Sequence, residues 1–403
     1  MILSKSKCVK ISKNIFQTLV VRGGVAVMNM AIVFLTLNVL GADGRGKISL
    51  FLTDIMLISM VTSVLSNSTV SYHVPKTNIK PIVRTGLLWV LFVSLVLGVI
   101  LSFLHNEYLQ RHLFPISMLL GLITMNQMIL IGKEKIKEYN IVFVLDPLFR
   151  LLVLVIGFYA FKIESLTVFL IALYVALGFS LMMSTVFVFK IIYSDKREIE
   201  IKSKEIFKYG IGTELSSFIQ FFNYRLLFYV VFYQLGSVEL GWFSVAVSVT
   251  ESLWIISRSI TVNQYSKILN TSDKLKQRII TNKSAGLSFI LTLVAVLLLI
   301  VVPKEFLSFI IKKDLSNIQE IIWILCPGVL MIAVSNVWGH YFSGRGKYQI
   351  NNLKSLIGFI LMISAAYFLT PLYGILGVVS AMLLGYLGSS LTLLGFYLAD
   401  KNK

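Results

Sequence analysis

The feature that most constrains this chain is a series of about twelve stretches that are each near 20 residues long and almost wholly apolar. A helix rises about 1.5 Å per residue and the hydrocarbon core of a bilayer is about 30 Å thick, so one such stretch crosses a membrane. The sequence therefore predicts an all-α, polytopic membrane protein. The expected spans are residues 16–40, 48–71, 85–104, 113–132, 140–161, 165–190, 209–235, 240–265, 284–303, 319–343, 353–371 and 374–399.

Composition agrees with this expectation. Of the 403 residues 57% are hydrophobic and 14% are charged, and the mean hydropathy is +0.83. Soluble domains carry about 25% charged residues. Basic residues precede the first apolar stretch without a cleavage site after it, so we expect a retained first span.

The net charge of +18 is distributed unevenly along the chain. If the N-terminus is cytoplasmic, 26 of the 37 Lys and Arg fall on the cytoplasmic side, seven fall on the outer side and four Arg lie inside spans. This asymmetry is the positive-inside pattern. It predicts cytoplasmic termini and short basic loops against anionic lipid, and it argues against a nucleic-acid partner.

Two loop motifs recur six spans apart. LGADGRGKIS at 40–49 and LGSVELGWFS at 235–244 share L-G-x4-G-x2-S, with a shift of 195. GKEKIKEYN at 132–140 and GRGKYQINN at 344–352 share G-[K/R]-x-K-x4-N, with a shift of 212. Because six is even, we expect parallel repeats. These would be two six-helix bundles, residues 1–195 and 196–403, related by a pseudo-two-fold axis along the membrane normal and enclosing a central cavity.

Eight ionisable residues lie at membrane depth. A charge at the bilayer centre costs about 2.5–3.5 kcal/mol on insertion scales, so we expect these side chains to face the bundle interior, paired or hydrated. They are Arg22, Asp54, Asp146, Arg150, Glu214, Arg225, Glu251 and Arg258.

Several of these charges can form pairs. Asp146 and Arg150 are four residues apart, which predicts a structural pair on one helix. Glu251 could pair with Arg225 across the second bundle or with Arg258 two turns along its own helix. Glu214 and Arg22 lie in the cytoplasmic parts of their spans, where they could snorkel. We assign Asp54, Glu251 and Glu214 to ion coupling or charge balance.

The surroundings of Arg225 indicate what it could bind. Arg grips phosphate oxygens bidentately, and amide, hydroxyl and aromatic neighbours suit sugar faces. Such a site fits an anionic amphiphile better than a small hydrophobic cation. The predicted substrate-binding residues are Arg22, Arg225, Arg258, Tyr224 and Asn223.

No sequence pattern indicates an enzyme. The chain has no nucleophile motif, phosphate loop or paired catalytic carboxylate. The four histidines lack metal-ligand spacing, and we expect structural or interfacial roles for them. We predict neither a metal site, a catalytic residue nor a cofactor.

Four segments carry a resemblance to a known family: VLGADGRGKISLF, KYGIGTELSSFIQFFNYRL, LGWFSVAVSVTESLW and PGVLMIAVSNVW. With these segments the chain resembles the Wzx-type flippases of O-antigen and capsular polysaccharide units, in the multidrug/oligosaccharidyl-lipid/polysaccharide exporter superfamily.

This resemblance implies movement of an undecaprenyl-pyrophosphate-linked oligosaccharide from the inner to the outer leaflet of the bacterial cytoplasmic membrane, by ion-coupled alternating access. It also implies H⁺ or Na⁺ as the coupling ion and a polysaccharide polymerase and a chain-length regulator as partners. One position departs from the family, since Leu227 stands where an acidic residue often follows the seventh-span Arg.

Three other functions remain open at this stage. A drug/cation antiporter of the same superfamily predicts a cavity dominated by acids, whereas four Arg stand against four acids here. An O-antigen polymerase or ligase requires a large outer loop, which the span pattern lacks. A major-facilitator transporter requires a cytoplasmic glycine/basic loop after its second span, whereas GADGRG follows the first span here and falls outside.

Overall fold

Helices make up the structure, which is a computed structural model describing residues 5–105, 107–195, 197, 201, 203–271, 273–301 and 316–400. A 3₁₀ turn covers Leu109–His112, and a π-helical turn covers Ile156–Ala160. No β-strand occurs in these ranges. The helices are α1 (Lys5–Ser66), α2 (Ser68–His73), α3 (Ile79–His105), α4 (Leu113–Gly132), α5 (Ile136–Val155), α6 (Leu166–Ser194), α7 (Ser203–Leu235), α8 (Ser237–Ser252), α9 (Trp254–Leu269), α10 (Lys274–Val301), α11 (Ser316–Gly344), α12 (Tyr348–Tyr373) and α13 (Ile375–Ala399).

The number of membrane crossings agrees with the sequence. Ten helical segments within the described ranges are long and apolar enough to span a membrane, and the bent helix α7 makes an eleventh. The first segment, Val20–His73, has 54 residues, or about 81 Å of helix, which exceeds twice the thickness of the hydrocarbon core. Since Gly41 interrupts it, this segment supplies two crossings and the total is twelve. The chain is a multi-pass membrane protein.

Glycine makes the same sharp break in both copies of the first repeated motif. Gly41 has φ 75° and ψ −178°, and Gly236 has φ 95° and ψ 176°. Positive φ with ψ near 180° is a region that only glycine occupies readily. The two residues are 195 positions apart, so equivalent positions share one unusual conformation, as a repeat predicts.

The two copies of this motif also pack against each other through glycine. A Cβ on Gly46 would lie 2.6 Å from the carbonyl carbon of Ser237, and a Cβ on Gly241 would lie 2.8 Å from the carbonyl carbon of Ala42. The shift of 195 converts Gly46 into Gly241 and Ala42 into Ser237. The contact, which lies within unit 2, therefore maps onto itself when the two motifs are exchanged. A hydrogen bond between Ser237 and Asp43 lies in the same contact.

By their contacts the residues form two compact units. Unit 1 comprises residues 1–40 and 47–218, and unit 2 comprises residues 41–46 and 219–403. Large apolar side chains such as Phe51 and Phe169 fill the core of unit 1, and Tyr341 and Phe342 are fully buried in unit 2. Each unit is a helical bundle, as expected. The repeat boundary at 195/196 stays a prediction.

The basic loop of the second repeated motif is tied to the end of its own bundle in unit 1. Arg197 Nε donates to Asp195 Oδ1 at 2.7 Å, and the Ile79 amide donates to Asp195 Oδ2 at 3.0 Å. Lys133, in the loop after α4, lies 3.8 Å from the same carboxylate. Asp195 directly follows α6.

Unit 2 repeats this arrangement. Asp400 directly follows α13 and accepts hydrogen bonds from Lys347 Nζ at 2.7 Å and from the Tyr341 hydroxyl at 2.8 Å. Arg345, which is equivalent to Lys133, pairs with it as well. In both units, an acid after the last helix therefore neutralises the basic loop that follows the fourth helix of the repeat.

Candidate functional site

Unit 2 holds an ion pair at membrane depth, with other polar residues around it. Arg225 on α7 donates two hydrogen bonds to Glu251 on α8, Nη2 to Oε2 at 3.1 Å and Nη1 to Oε1 at 3.3 Å. The Arg225 side chain is 21% exposed and that of Glu251 is 16% exposed. The guanidinium also lies 5.1 Å from the ring centroid of Phe228. Of the two partners that the sequence allowed for Glu251, the structure selects Arg225.

Both partners lie on long membrane helices. Helix α8 ends at Ser252 and α9 begins at Trp254, and Leu253 between them keeps helical angles (φ −65°, ψ −20°), so α8 and α9 form one span. The Trp254 ring lies 5.3 Å from Tyr224 and 5.7 Å from Tyr386, so an aromatic cluster adjoins the ion pair.

A small polar chamber lies beside this aromatic cluster. Its walls come together because α12 and α13 approach closely at small residues, where a Cβ on Gly358 would be 2.8 Å from the Gly385 carbonyl oxygen. Asn223 from α7 reaches across and donates to the Ser355 carbonyl at 2.7 Å. The cavity volume is about 20 Å³. The polar residues lining it include Gln220, Asn223, Tyr224, Lys354, Ser355 and Tyr386.

Sequence reasoning missed one member of this chamber. It counted Lys354 with the cytoplasmic loop that precedes the eleventh span. In the structure α12 begins at Tyr348, so Lys354 lies almost two turns inside the helix and its side chain lines the chamber. The signal in the sequence was its position inside the apolar stretch 353–371, where a lysine is uncommon.

Unit 1 holds a second buried polar group around a predicted residue. Asp54 is 0% exposed, and its Oδ2 lies 2.7 Å from His105 Nδ1 and 3.3 Å from Gln110 Nε2. The sequence marked Asp54 for charge balance, but it gave His105 only a structural or interfacial role. Both residues lie towards the predicted outer ends of their spans, and this shared depth was the available signal.

The remaining intramembrane acids are also engaged. Asp146 and Arg150 form the expected pair on α5, with 2.5 Å between the closest oxygen and nitrogen. Glu214 is buried and accepts a hydrogen bond from Asn67 at 3.3 Å. The expectation that Glu214 could snorkel to the cytoplasmic surface was wrong, because the side chain points into unit 1.

Two intramembrane arginines differ from the others. Arg22 on α1 and Arg258 on α9 are both exposed. Within the part of the chain that the structure describes, no carboxylate lies within 4.0 Å of either guanidinium. The accessible charge at membrane depth is therefore positive. The described residues also contain no cluster of three or more His, Cys, Asp or Glu that could hold a metal ion.

The helical fold as a whole matches known transporter structures. A lipid II flippase MurJ in an inward closed conformation superposes with a TM-score of 0.76 and 14% identity, covering 94% of this chain and 87% of that chain. The fold is the one shared by MurJ and the MATE transporters. The MATE multidrug transporter DinF-BH gives a TM-score of 0.69 and 15% identity, covering 96% of this chain and 94% of that chain.

Sequence comparison adds one weaker similarity. Capsular polysaccharide biosynthesis protein CapF of Staphylococcus aureus is 26% identical over 179 residues, which is 44% of this chain and 45% of that protein. The chain thus matches less than half the length of this relative. No protein-family model matches the chain.

Proposed function

We propose that this protein moves an anionic lipid-linked oligosaccharide, with undecaprenyl pyrophosphate as the carrier, from the inner to the outer leaflet of a bacterial cytoplasmic membrane for O-antigen or capsule assembly. Transport follows an alternating-access cycle without a chemical step. The observation that carries this proposal is the imbalance of accessible charge. All four intramembrane acids are engaged by partners, whereas Arg22 and Arg258 remain exposed.

The depth of the cations supports an anionic substrate that enters from the cytoplasmic leaflet. Arg22 lies 19 residues before the Gly41 break and Arg258 lies 22 residues after Gly236, or about 29 and 33 Å along their helices at ~1.5 Å per residue. Arg225 lies 11 residues before Gly236, or about 17 Å by the same rise. The exposed cations are therefore near one face of the membrane, and the paired cation is near its middle.

Exposure of these arginines has an energetic consequence. A guanidinium cannot lose its charge, and at the bilayer centre it would cost about 2.5–3.5 kcal/mol, so exposed arginines are expected near the membrane face, where water can reach them. We infer that Arg22 and Arg258 face a hydrated space in which a pyrophosphate can replace water. Tyr224 and Asn223, beside Arg225, would contact sugar. The names of MurJ as a lipid II flippase and of CapF as a capsular polysaccharide protein agree with this substrate class.

The test is complementation of a flippase-deficient strain with Arg22→Gln, Arg258→Gln and the double variant. We expect each single variant to reduce surface polysaccharide and the double variant to abolish it, with lipid-linked units accumulating on the cytoplasmic side. Lys283→Gln is the matched control, because it removes an exposed cation from the cytoplasmic part of α10. Wild-type export by the double variant would refute the proposal.

A second candidate is a drug/cation antiporter, and the buried Asp54–His105 contact favours it, since a buried carboxylate can exchange a proton for a cation. In the flippase the same contact would couple transport to H⁺ or Na⁺. The two candidates differ in uptake assays with proteoliposomes. An antiporter moves an organic cation against a proton gradient, whereas the flippase exposes a labelled lipid-linked saccharide to an impermeant reagent.

A further inference from the structure

We propose that Lys354 and the chamber around it form a binding site for one small anion or for one anionic oxygen of a phosphate group. This inference rests on the proposed function in one respect only, since the proposed lipid pyrophosphate would be the natural source of the phosphate oxygen. The site lies within unit 2, and its cation is not one of the arginines that are assigned to the substrate above, Arg22, Arg225 and Arg258.

The first argument concerns charge. Lys354 lies on α12 within a predicted span, and no carboxylate among the described residues is within 4.0 Å of its amine. An ammonium held away from bulk water is costly, and a bound anion would stabilise this charged form of the lysine. The acid next to the aromatic cluster, Glu251, is bound by both Nη atoms of Arg225 and is not available to the lysine. His340 also lies near Lys354, and it carries no negative charge.

The second argument concerns the neighbours. The amides of Gln220 and Asn223 and the hydroxyls of Tyr224, Ser355 and Tyr386 line the chamber. The Asn223 amide already donates to the Ser355 carbonyl, but the Gln220 amide and the three hydroxyls can donate hydrogen bonds to an anion beside the ammonium. The lysine ammonium would repel a cation in the chamber, so the lining favours an anion.

The third argument concerns size. A water molecule needs about 10–15 Å³ of such space, and the chamber has about 20 Å³. One water-sized atom therefore fits, which corresponds to a halide ion or to a single phosphate oxygen. A whole pyrophosphate or a sugar ring does not fit. If the natural ligand is the lipid headgroup, only one of its oxygens enters the chamber, and the rest remains outside.

The test uses the purified full chain in detergent in a zwitterionic buffer without added salt, so that no other small anion or carboxylate competes for the chamber. Three probes are titrated, singly and in competition: sodium bromide, inorganic pyrophosphate and farnesyl diphosphate. A ligand that binds only the folded state raises the unfolding midpoint until the site saturates. We expect bromide to raise the midpoint of the wild type, to have no such effect on Lys354→Gln, and to have a reduced effect on Lys354→Arg.

Lys283→Gln is again the control, since it removes the same charge from the same unit and should respond like the wild type. The proposal is wrong if Lys354→Gln keeps the bromide response, or if Lys283→Gln loses it equally. Should Lys354→Gln not fold, bromide anomalous diffraction on the wild type decides the question. A peak within about 4 Å of the Lys354 amine, the range of a direct ion contact, supports the site, and bromide peaks only elsewhere refute it.

The other probes identify the source of the anion. If farnesyl diphosphate displaces bromide from the wild type but inorganic pyrophosphate does not, the site binds the headgroup of a lipid. If both diphosphates displace bromide equally, the site binds a phosphate oxygen whether or not a lipid is attached. These binding results do not depend on export. Failure of the proposed role of Arg22 and Arg258 would therefore leave the Lys354 site standing, and the reverse also holds.

Discussion

Replacing Gly46 or Gly241 with alanine should destabilise the protein, because both glycines belong to the same contact between the two copies of the first repeated motif. A Cβ at Gly46 would lie 2.6 Å from the Ser237 carbonyl carbon, and one at Gly241 would lie 2.8 Å from the Ala42 carbonyl carbon. Both neighbours are backbone atoms, which cannot turn away as the end of a flexible side chain can. The two segments must therefore move apart, and side chains nearby lose contact.

The expected size follows from this overlap. Ordinary carbon–carbon contacts are about 3.5–4.0 Å, and the Ser237 and Ala42 carbonyl oxygens would lie closer still than the carbons, so each substitution requires a separation of more than about 1 Å. Overpacking of this kind costs typically about 1–3 kcal/mol. Because Gly46 and Gly241 face the same pair of segments, the first substitution makes room for the second. The double variant should therefore cost less than the sum of the single variants.

The unfolding of each variant can be followed with a thiol-reactive dye. Cys326 is buried, so in a Cys8→Ser background its labelling reports unfolding. Gly286→Ala and Gly395→Ala are matched controls in helices, because nothing lies within 4 Å of a Cβ added there. Alanine should leave them unchanged or raise stability by up to about 1 kcal/mol. If Gly46→Ala and Gly241→Ala unfold at the control temperature, or if their costs add fully, the reciprocal contact is not as described.

Three further predictions follow from the charges. Glu251→Gln and Arg225→Ala should each lower protein accumulation, because each breaks the ion pair. Exchanging the two residues should restore accumulation but not export, because the cation then leaves α7. Full export by the exchanged protein would mean that the pair is only structural. Burial raises the pKa of Asp400, but hydrogen bonds from Lys347, Tyr341 and Arg345 outweigh it and hold this pKa below the ordinary value of 3.8. The carboxylate therefore stabilises the fold above about pH 4 and loses this effect as the pH falls. Wild type should exceed Asp400→Asn in thermal stability at about pH 6, as followed by intrinsic fluorescence, and this difference should shrink below about pH 4; a constant difference would contradict the assignment. Finally, an impermeant maleimide on whole cells should label Lys162→Cys and not Ser194→Cys, and the reverse result would invert the topology.

Sequence and structure decided different parts of the site. The sequence located Arg225 and Glu251 at membrane depth, because any charge within an apolar stretch stands out against hydrocarbon. It could not choose between Arg225 and Arg258 as the partner of Glu251. That choice depends on how α7, α8 and α9 are rotated about their axes in the bundle, which local sequence does not set. The pairing of Asp54 with His105 was missed for the same reason.

The sequence by itself determined the twelve crossings, the two equivalent glycine motifs and eight of the intramembrane charges. These features follow from chain length per turn of helix, from the exclusion of charge by lipid and from the conformations open to glycine, which are local properties. Only the tertiary structure decided which cations stay accessible and that Lys354 enters a polar chamber. The close approach of α12 and α13 at Gly358 and Gly385 sets that chamber, and such an approach depends on surfaces that meet from distant parts of the chain.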